Sequence, residues 1–333
     1  MKVIAGDIGG TKTSLALFDV SGTKPDMLVM ETWPSQDYAS LDDIIKLFIS
    51  TRPGTYEYAC FGVAGPVRNG ISQTTNLPWH IDAQKLAQTA GVRRAWLLND
   101  LEANAWGINA LDDEDFCILN EGQPDAYGNA CVIAAGTGLG QAGITMDGQH
   151  LRPFASEGGH ADFAPQTEMD IALLRYLQQR YGHVSWERVV SGMGLVNIHE
   201  FLHAHYGTEP PRWLVDEMAK EDKAAAISKG AQSGQCEICS ETLDMFARLY
   251  GAEAGNQALK IMATGGVYIG GGIAPKILDN LREPAFMQGF CGKGRMQSLM
   301  QSMPVKVILN DRTALYGPAV YAATLLNQSD KSM

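Results

Sequence analysis

Val3-Ile4-Ala5-Gly6-Asp7-Ile8-Gly9-Gly10-Thr11-Lys12-Thr13-Ser14-Leu15-Ala16-Leu17-Phe18 sets two apolar runs on either side of a glycine-rich polar turn. Residues 3–6 and 13–20 read as β-strands. Asp7 to Lys12 reads as the tight turn between them, its paired glycines permitting backbone conformations that other residues resist. The device returns in mid-chain: Cys131 to Ala135 is a short apolar run of the buried-strand kind, Gly136-Thr137-Gly138-Leu139-Gly140 a turn, and Gln141 to Met146 a returning strand.

Working outward, Met27 to Thr32 reads as a third strand, and Leu41, Ile44, Ile45 and Phe48 fall at i, i+3, i+4 and i+7, the spacing of an amphipathic helix. A strand near Tyr58 to Val63, a helix near Asp82 to Thr89, a strand Ala95 to Leu98 running into Asn99-Asp100, and a helix from Leu101 complete the first half. The second half is helix-rich, over about 168–181, 194–206, 222–231 and 238–262, before a strand Val267 to Ile269, the turn Gly270-Gly271-Gly272, a strand Val305 to Leu309 and a closing helix after Asp311. Two α/β halves, each opened by a hairpin with a Gly- and Thr-rich turn, are what a phosphate clamp contributed by two domains requires. The pattern predicts a hinged, actin-like ATPase fold.

Composition narrows the function. A formal net charge of -11 and the lack of any basic stripe argue against nucleic acid, whose backbone is bound by clustered Lys and Arg. An acidic protein can still hold a nucleotide through backbone N–H groups and a divalent cation. No apolar run approaches the roughly 18 to 20 residues of a membrane helix, and Met1 to Gly10 breaks into glycines before a signal core could form, so a cytoplasmic protein is expected. The six cysteines are scattered, which suits reduced thiols; Cys236 and Cys239 form a lone CxxC, read as helix-surface thiols, and no structural zinc is expected there.

The P-loop G-x-x-x-x-G-K-[ST] is absent. Gly138, Gly140 and Gly143 match G-x-G-x-x-G, with Glu157 about 20 residues beyond, but a dinucleotide loop must open a helix and Ala142 to Met146 reads as strand. Asp7 reads either as a turn aspartate bonding its own backbone or as a partner of Mg²⁺, directly or through water. Asn99 and Asp100 stand where a strand becomes a helix, so they read as an N-cap or as site residues, with Asp100 a candidate general base. The run Ser156-Glu157-Gly158-Gly159-His160-Ala161-Asp162 is too polar for a core strand and too glycine-rich for a helix, which favours a functional loop that recognises hydroxyls over one that ligates metal. Glu187, on pattern alone, reads as a solvated helix residue.

Taken together, Gly6-Asp7-Ile8-Gly9-Gly10-Thr11, Leu98-Asn99-Asp100, Gly136 to Gly140, Ser156 to Phe163, Gly182-His183-Val184-Ser185-Trp186-Glu187-Arg188-Val189 and Ser191-Gly192-Met193-Gly194-Leu195 resemble the bacterial glucokinase family. The similarity runs in one order from residue 3 to about Gly317. It implies a two-domain, ribonuclease-H-like α/β fold of the actin-like ATPase type, with a small domain of 1–110 plus 311–333, a large domain of 111–310 and an interdomain active-site cleft. It also implies ATP-dependent phosphorylation of glucose with Mg²⁺. Asn99, Asp100, Glu157, His160 and Glu187 become sugar ligands, Asp100 also the catalytic base. Gly6, Asp7, Ile8, Gly9, Gly10 and Thr11 would carry the nucleotide phosphates, met by Thr137 and Gly138, with Gly271 and Gly272 beside the adenosine. A homodimer is a further expectation. Thr11-Lys12-Thr13 departs toward the related repressor and sugar-kinase family, but that family's cysteine-rich zinc motif is missing, since no cysteine lies between Cys131 and Cys236. Competing readings are a kinase for fructose or an amino sugar, a sugar-sensing regulator, and an actin-like ATPase that needs no sugar.

Overall fold

The opening apolar runs form β1 (Lys2–Ile8) and β2 (Lys12–Asp19), which pair antiparallel from Lys2 facing Asp19 to Ile8 facing Thr13. The turn is therefore only Gly9-Gly10-Thr11, and Asp7, Ile8 and Lys12 lie on the strands, a correction to the longer turn expected. Neither turn glycine has a positive φ. Gly9 answers a need for space instead, because a Cβ there would stand 3.1 Å from the Lys12 carbonyl oxygen. The computed structural model describes residues 1–52, 54–74, 77–125, 127–147 and 150–330. Two compact units emerge, Met1–Asp115 with Gln149–Ala155 and Asn310–Met333, and Phe116–Gly148 with Ser156–Leu309.

In the first unit β3 (Asp26–Pro34), α1 (Leu41–Ser50), β4 (Tyr58–Val63), the short antiparallel ribbon β5 (Val67–Arg68), β6 (Ile71–Gln73) and β7 (His80–Asp82), α2 (Ala83–Ala90), β8 (Arg94–Asn99) and α3 (Asp100–Gly107) follow in turn. The sheet runs β3-β2-β1-β4-β8, with β1, β4 and β8 parallel. Both faces are covered, which is why these strands read as continuous apolar runs. One face sets Ile4, Leu15 and Phe61 against Leu41, Ile44, Ile45 and Phe48 of α1. The other sets Val3, Phe18 and Leu98 against Trp106 of α3 and Leu315 and Ala319 of the closing helix, Thr313–Asp330. Each such side chain contributes about 1.5–3 kcal/mol by leaving water. Glycine sets how closely the closing helix packs on α3: a Cβ on Gly317 would fall 1.7 Å from the Ala103 carbonyl oxygen.

The second unit repeats the scheme. β9 (Phe116–Asn120), β10 (Ala130–Ala135) and β11 (Leu139–Asp147) come first; after β12 (His150–Ser156), all but the last residue of which belongs to the first unit, follow α4 (Glu168–Tyr181), α5 (Gly192–Tyr206), α6 (Arg212–Lys220), α7 (Lys223–Gln232), α8 (Glu237–Ile261), β13 (Gly266–Gly270), α9 (Leu278–Arg282), α10 (Pro284–Cys291), α11 (Gln297–Ser302) and β14 (Val305–Ile308). β11, β10, β13, β14 and β9 lie side by side, with β10, β13 and β14 parallel. The Gly138, Gly140 and Gly143 pattern indeed runs into a strand, β11, not a helix.

α8, 25 residues long, is the spine of this unit. On one flank Gly251 admits α10, since a Cβ there would lie 1.9 Å from the Phe286 carbonyl oxygen. On another it carries Tyr250, Glu253 and Gln257, spaced to share one face. The Gln257 amide donates to Val132 O (3.2 Å) and Ala142 O (3.0 Å), and Glu253 accepts from Gln141 Nε2 (2.7 Å) and Asn256 Nδ2 (3.0 Å). A polar stripe thus underlies the β10–β11 hairpin.

Candidate active site

In the first unit, the carboxyl ends of three parallel strands share one sheet edge. Ile8, Val63 and Asn99 stand in register across β1, β4 and β8. That edge therefore carries Gly9-Gly10-Thr11, then Gly65, then Asn99-Asp100. Carboxyl ends of strands in open α/β sheets are where ligands bind, because diverging connections leave a crevice lined by backbone N–H groups. Ser35, just past β3, clamps the turn. Its hydroxyl donates to Gly9 O (2.7 Å) and is shared with Thr13 Oγ1 (2.9 Å), and its N–H donates to Thr11 O (2.9 Å).

Asp7 lies one residue inside this edge. Burial pushes its carboxyl above the usual carboxylate range, and the nearby Lys12 ammonium only partly offsets this. A desolvated carboxylate beside backbone donors is chemically suited to a hard, hydrated cation.

Asn99 caps α3. Its Oδ1 accepts from Leu101 N (2.9 Å) and Glu102 N (3.4 Å), while Nδ2 donates to Gly65 O (3.1 Å). An amide carries two N–H bonds, so a second donor is left beyond the Gly65 contact. The capping reading is thus correct, and it does not exclude a ligand role. Asp100 is the first residue of α3, and its Oδ1 accepts from Leu101 N at 2.9 Å.

In the second unit the β10–β11 turn narrows to Gly136-Thr137-Gly138, because Leu139 already opens β11. The Gly136 carbonyl accepts from Gly192 N (2.8 Å), the first residue of α5. Glu187 is not the solvated helix residue its surroundings suggested. It sits half-buried in a 3-10 turn, Trp186–Arg188, and its Oε2 accepts from Leu139 N at 3.0 Å. Ser191 Oγ then donates to Glu187 O (2.6 Å) and accepts from Gly194 N (3.0 Å), joining this carboxylate's backbone to the start of α5.

Glu157 and His160 are exposed on either side of Gly158 and Gly159. Both glycines are pressed on β11: a Cβ on Gly159 would stand 2.0 Å from Leu139 O, and one on Gly158 2.1 Å from Gln141 Oε1. Backbone bonds from Trp186 N to Ala161 O (3.0 Å) and Phe163 N to Val184 O (2.9 Å) fasten this loop to the Glu187 turn. The fold so gathers Thr137, Gly138, Glu157, His160 and Glu187 around the amino end of β11.

Gly271 joins the same edge after β13. It has φ +82°, and a Cβ would fall 2.2 Å from Ala135 O, so only glycine fits. Tyr250, fully buried, fixes both strand ends with one hydroxyl. It accepts from Ala135 N (3.1 Å) and offers its single proton to Ile133 O and Gly270 O, each at 3.1 Å.

Sequence reasoning missed Ser35, Gly65, Gln141 and Tyr250. Only Gly65 carried a signal, the Gly-Pro pair that follows β4. Cys236 and Cys239, read as surface thiols, are both buried.

A model of the family described as Glucokinase matches residues 4–325. A glucokinase of Synechocystis sp. is 41% identical, over 96% of this chain and 97% of its own length. One from Nostoc punctiforme is 40% identical, over 97% and 99%. Among solved structures, a glucokinase from an Antarctic psychrotroph superposes with a TM-score of 0.84 at 33% identity, covering 96% of this chain and 98% of that one.

Proposed function

The chain belongs to the glucokinase family, and we infer that its glycine turns hold the phosphates of ATP while Asn99, Asp100, Glu157, His160 and Glu187 take the sugar. The enzyme phosphorylates glucose to glucose 6-phosphate on an actin-like ATPase fold. One observation above the rest supports the division of labour: Asn99 closes β8 in register with Ile8 across β4 and Asp100 follows it at the start of α3, so a carboxylate and a glycine turn crown the same edge of three parallel strands.

Phosphoryl transfer passes through a loose, charge-dispersed transition state, so the protein's tasks are alignment and charge neutralisation. N–H groups of Gly9, Gly10 and Thr11, and of Thr137 and Gly138, face the phosphates in this reading, with Gly6 and Ile8 supporting the first turn from β1 and Gly271 and Gly272 beside the adenosine. Mg²⁺, held by Asp7 directly or through water, would supply neutralisation of the phosphoryl oxygens. Asp100 orients the 6-hydroxyl and accepts its proton late, once phosphoryl bonding has lowered that proton's pKa. Glu157, His160 and Glu187 engage ring hydroxyls, and a site built for such bonds rejects an epimer because its own polar groups are left unpaired. No helix among the described residues is long and apolar enough to cross a membrane. A cytoplasmic homodimer belongs to this reading, and sedimentation velocity checks the dimer.

The test is ADP production from MgATP with glucose, fructose, mannose, N-acetylglucosamine, N-acetylmannosamine or no sugar. Glucose-dependent turnover is expected, with Asp100→Asn lowering kcat roughly 10²- to 10⁴-fold and changing the glucose KM less. An active Asn variant removes Asp100 as base, and turnover indifferent to sugar points to an ATPase. Glu157→Ala is expected to abolish glucose use while MgATP titration stays near normal; equal loss of both counts against its role.

A further inference from the structure

A second group of ligand-type side chains lies apart from these motifs, in the helical layer of the second unit. Cys236 caps the amino end of α8 and accepts from Cys239 N through its Sγ, at 3.2 Å. Cys236 is 5% exposed and Cys239 0%, within a small core of Leu214, Ala226 and Ile227. α7 closes on them, for a Cβ on Gly230 would come 3.1 Å from Cys239 Sγ.

α5 brings His199 to the pair. One ligand atom from each of His199, Cys236 and Cys239 lies within 4.8 Å of the others. Tetrahedral zinc draws such atoms somewhat closer, with Zn–S of about 2.3 Å and Zn–N of about 2.0 Å. His199 is 1% exposed, and its Nε2 has no hydrogen-bond partner among the described residues. A buried imidazole nitrogen without a partner loses its hydration and gains nothing in return. His203, one turn further on, stacks edge-on to His199 with ring centroids 4.6 Å apart. Its Nδ1 is bonded to Thr208 Oγ1 at 2.9 Å, and its Nε2 is also buried and unpartnered. That is the arrangement of a metal-ligating histidine, one nitrogen oriented by a second partner and the other left for the ion.

We propose that Cys236, Cys239, His199 and His203 form a zinc site tying α5 to α8. Binding releases the two thiol protons to solvent. His199-Glu200-Phe201-Leu202-His203 also spells H-E-x-x-H, the helix pattern of zinc hydrolases. Here Glu200 is paired with Arg180 at 2.6 Å, and His203, which lies outside the group of three, would turn its Nε2 inward to complete a closed, structural tetrahedron of two sulfurs and two imidazoles. An opening exists: a cavity of ≈ 630 Å³ is lined by His199 and His203 together with Arg180, Met218 and Lys223.

The experiment uses the full chain without an affinity tag, purified in reductant and free of chelator. Elemental analysis is expected to find about one zinc per chain, and chelation to lower Tm by about 5 °C or more. Cobalt(II) added to the reduced, metal-free protein is expected to give the intense visible bands and near-ultraviolet thiolate charge transfer of a tetrahedral thiolate site. Cys236→Ser with Cys239→Ser should abolish those bands, and His203→Ala should weaken binding at least roughly tenfold. Unmodified protein that retains no zinc and gives only the pale spectrum of hydrated cobalt overturns the proposal whether or not any variant folds. His203→Ala binding as tightly as the parent overturns the fourth ligand.

Discussion

The turn after β1 and the turn after β10 occupy the same place in matching strand orders, β2-β1-β4-β8 and β11-β10-β13-β14, yet they are held by different means. The first is held locally: Ser35, delivered by the adjoining β3, binds Gly9, Thr11 and Thr13. The second is held from below, by a helix more than a hundred residues later in the chain, whose Tyr250, Glu253 and Gln257 each reach the hairpin or its cross-strand neighbour. Matching topology therefore fixes where a phosphate turn sits, while its rigidity is supplied independently in each half. A loss in one clamp should leave the other half's hairpin intact.

The largest expected effect tests the second clamp at its glycine. Gly271→Ala combines a φ of +82° with a Cβ 2.2 Å from a backbone oxygen, and should destabilise the unit by roughly 3 kcal/mol in urea denaturation. Gly136→Ala meets nothing within 4 Å. It should unfold within about 0.5 kcal/mol of the parent while the KM for ATP rises. Equal destabilisation by both would mean that packing, not ligand approach, sets the turn. Next comes Tyr250→Phe, which strands the buried Ala135 N–H and should lose about 1–3 kcal/mol by thermal denaturation. An unchanged Tm would show that the hydroxyl does not bridge the strand ends.

Glu253 extends the comparison to pH. Burial raises its carboxyl above the ordinary glutamate value, against the donors Gln141 and Asn256. A raised pKa in the folded state means that its contribution is complete below the unfolded value, near pH 4, and is lost as pH climbs through the raised one. Glu253→Gln should remove that decline, read from denaturation midpoints taken upward from about pH 4. An identical slope in the variant assigns it elsewhere. Ser35→Ala is the smallest change, about 1 kcal/mol, with an altered ATP response and no loss in the second unit's hairpin.

The hairpins were legible because a glycine turn between apolar runs is a short-range signal, and α1 because four apolar residues at helical spacing all turn inward. β12 and α9 to α11 were not: a strand such as His150–Ser156 has no clean alternation, and helices of five to eight residues do not repeat long enough to show a period. The same limit hid Glu187, whose meaning comes from an N–H 48 positions away. Asn99 teaches a different point. Its capping bonds and its spare donor coexist, so the structural and the functional readings were never alternatives.

The closing helix bears on how the protein is made. Leu315, Ala319 and Ala322 complete the core that, with Trp106, covers Val3, Phe18 and Leu98, so this sheet keeps part of one apolar face uncovered until the far-downstream helix Thr313–Asp330 has been synthesised. The second unit, whose segments are finished by Leu309, is free to fold earlier. During that interval the exposed face of β1, β2 and β8 is a ready target for chaperones and for aggregation, and a stalled or prematurely terminated nascent chain should be recovered in complex with a holdase.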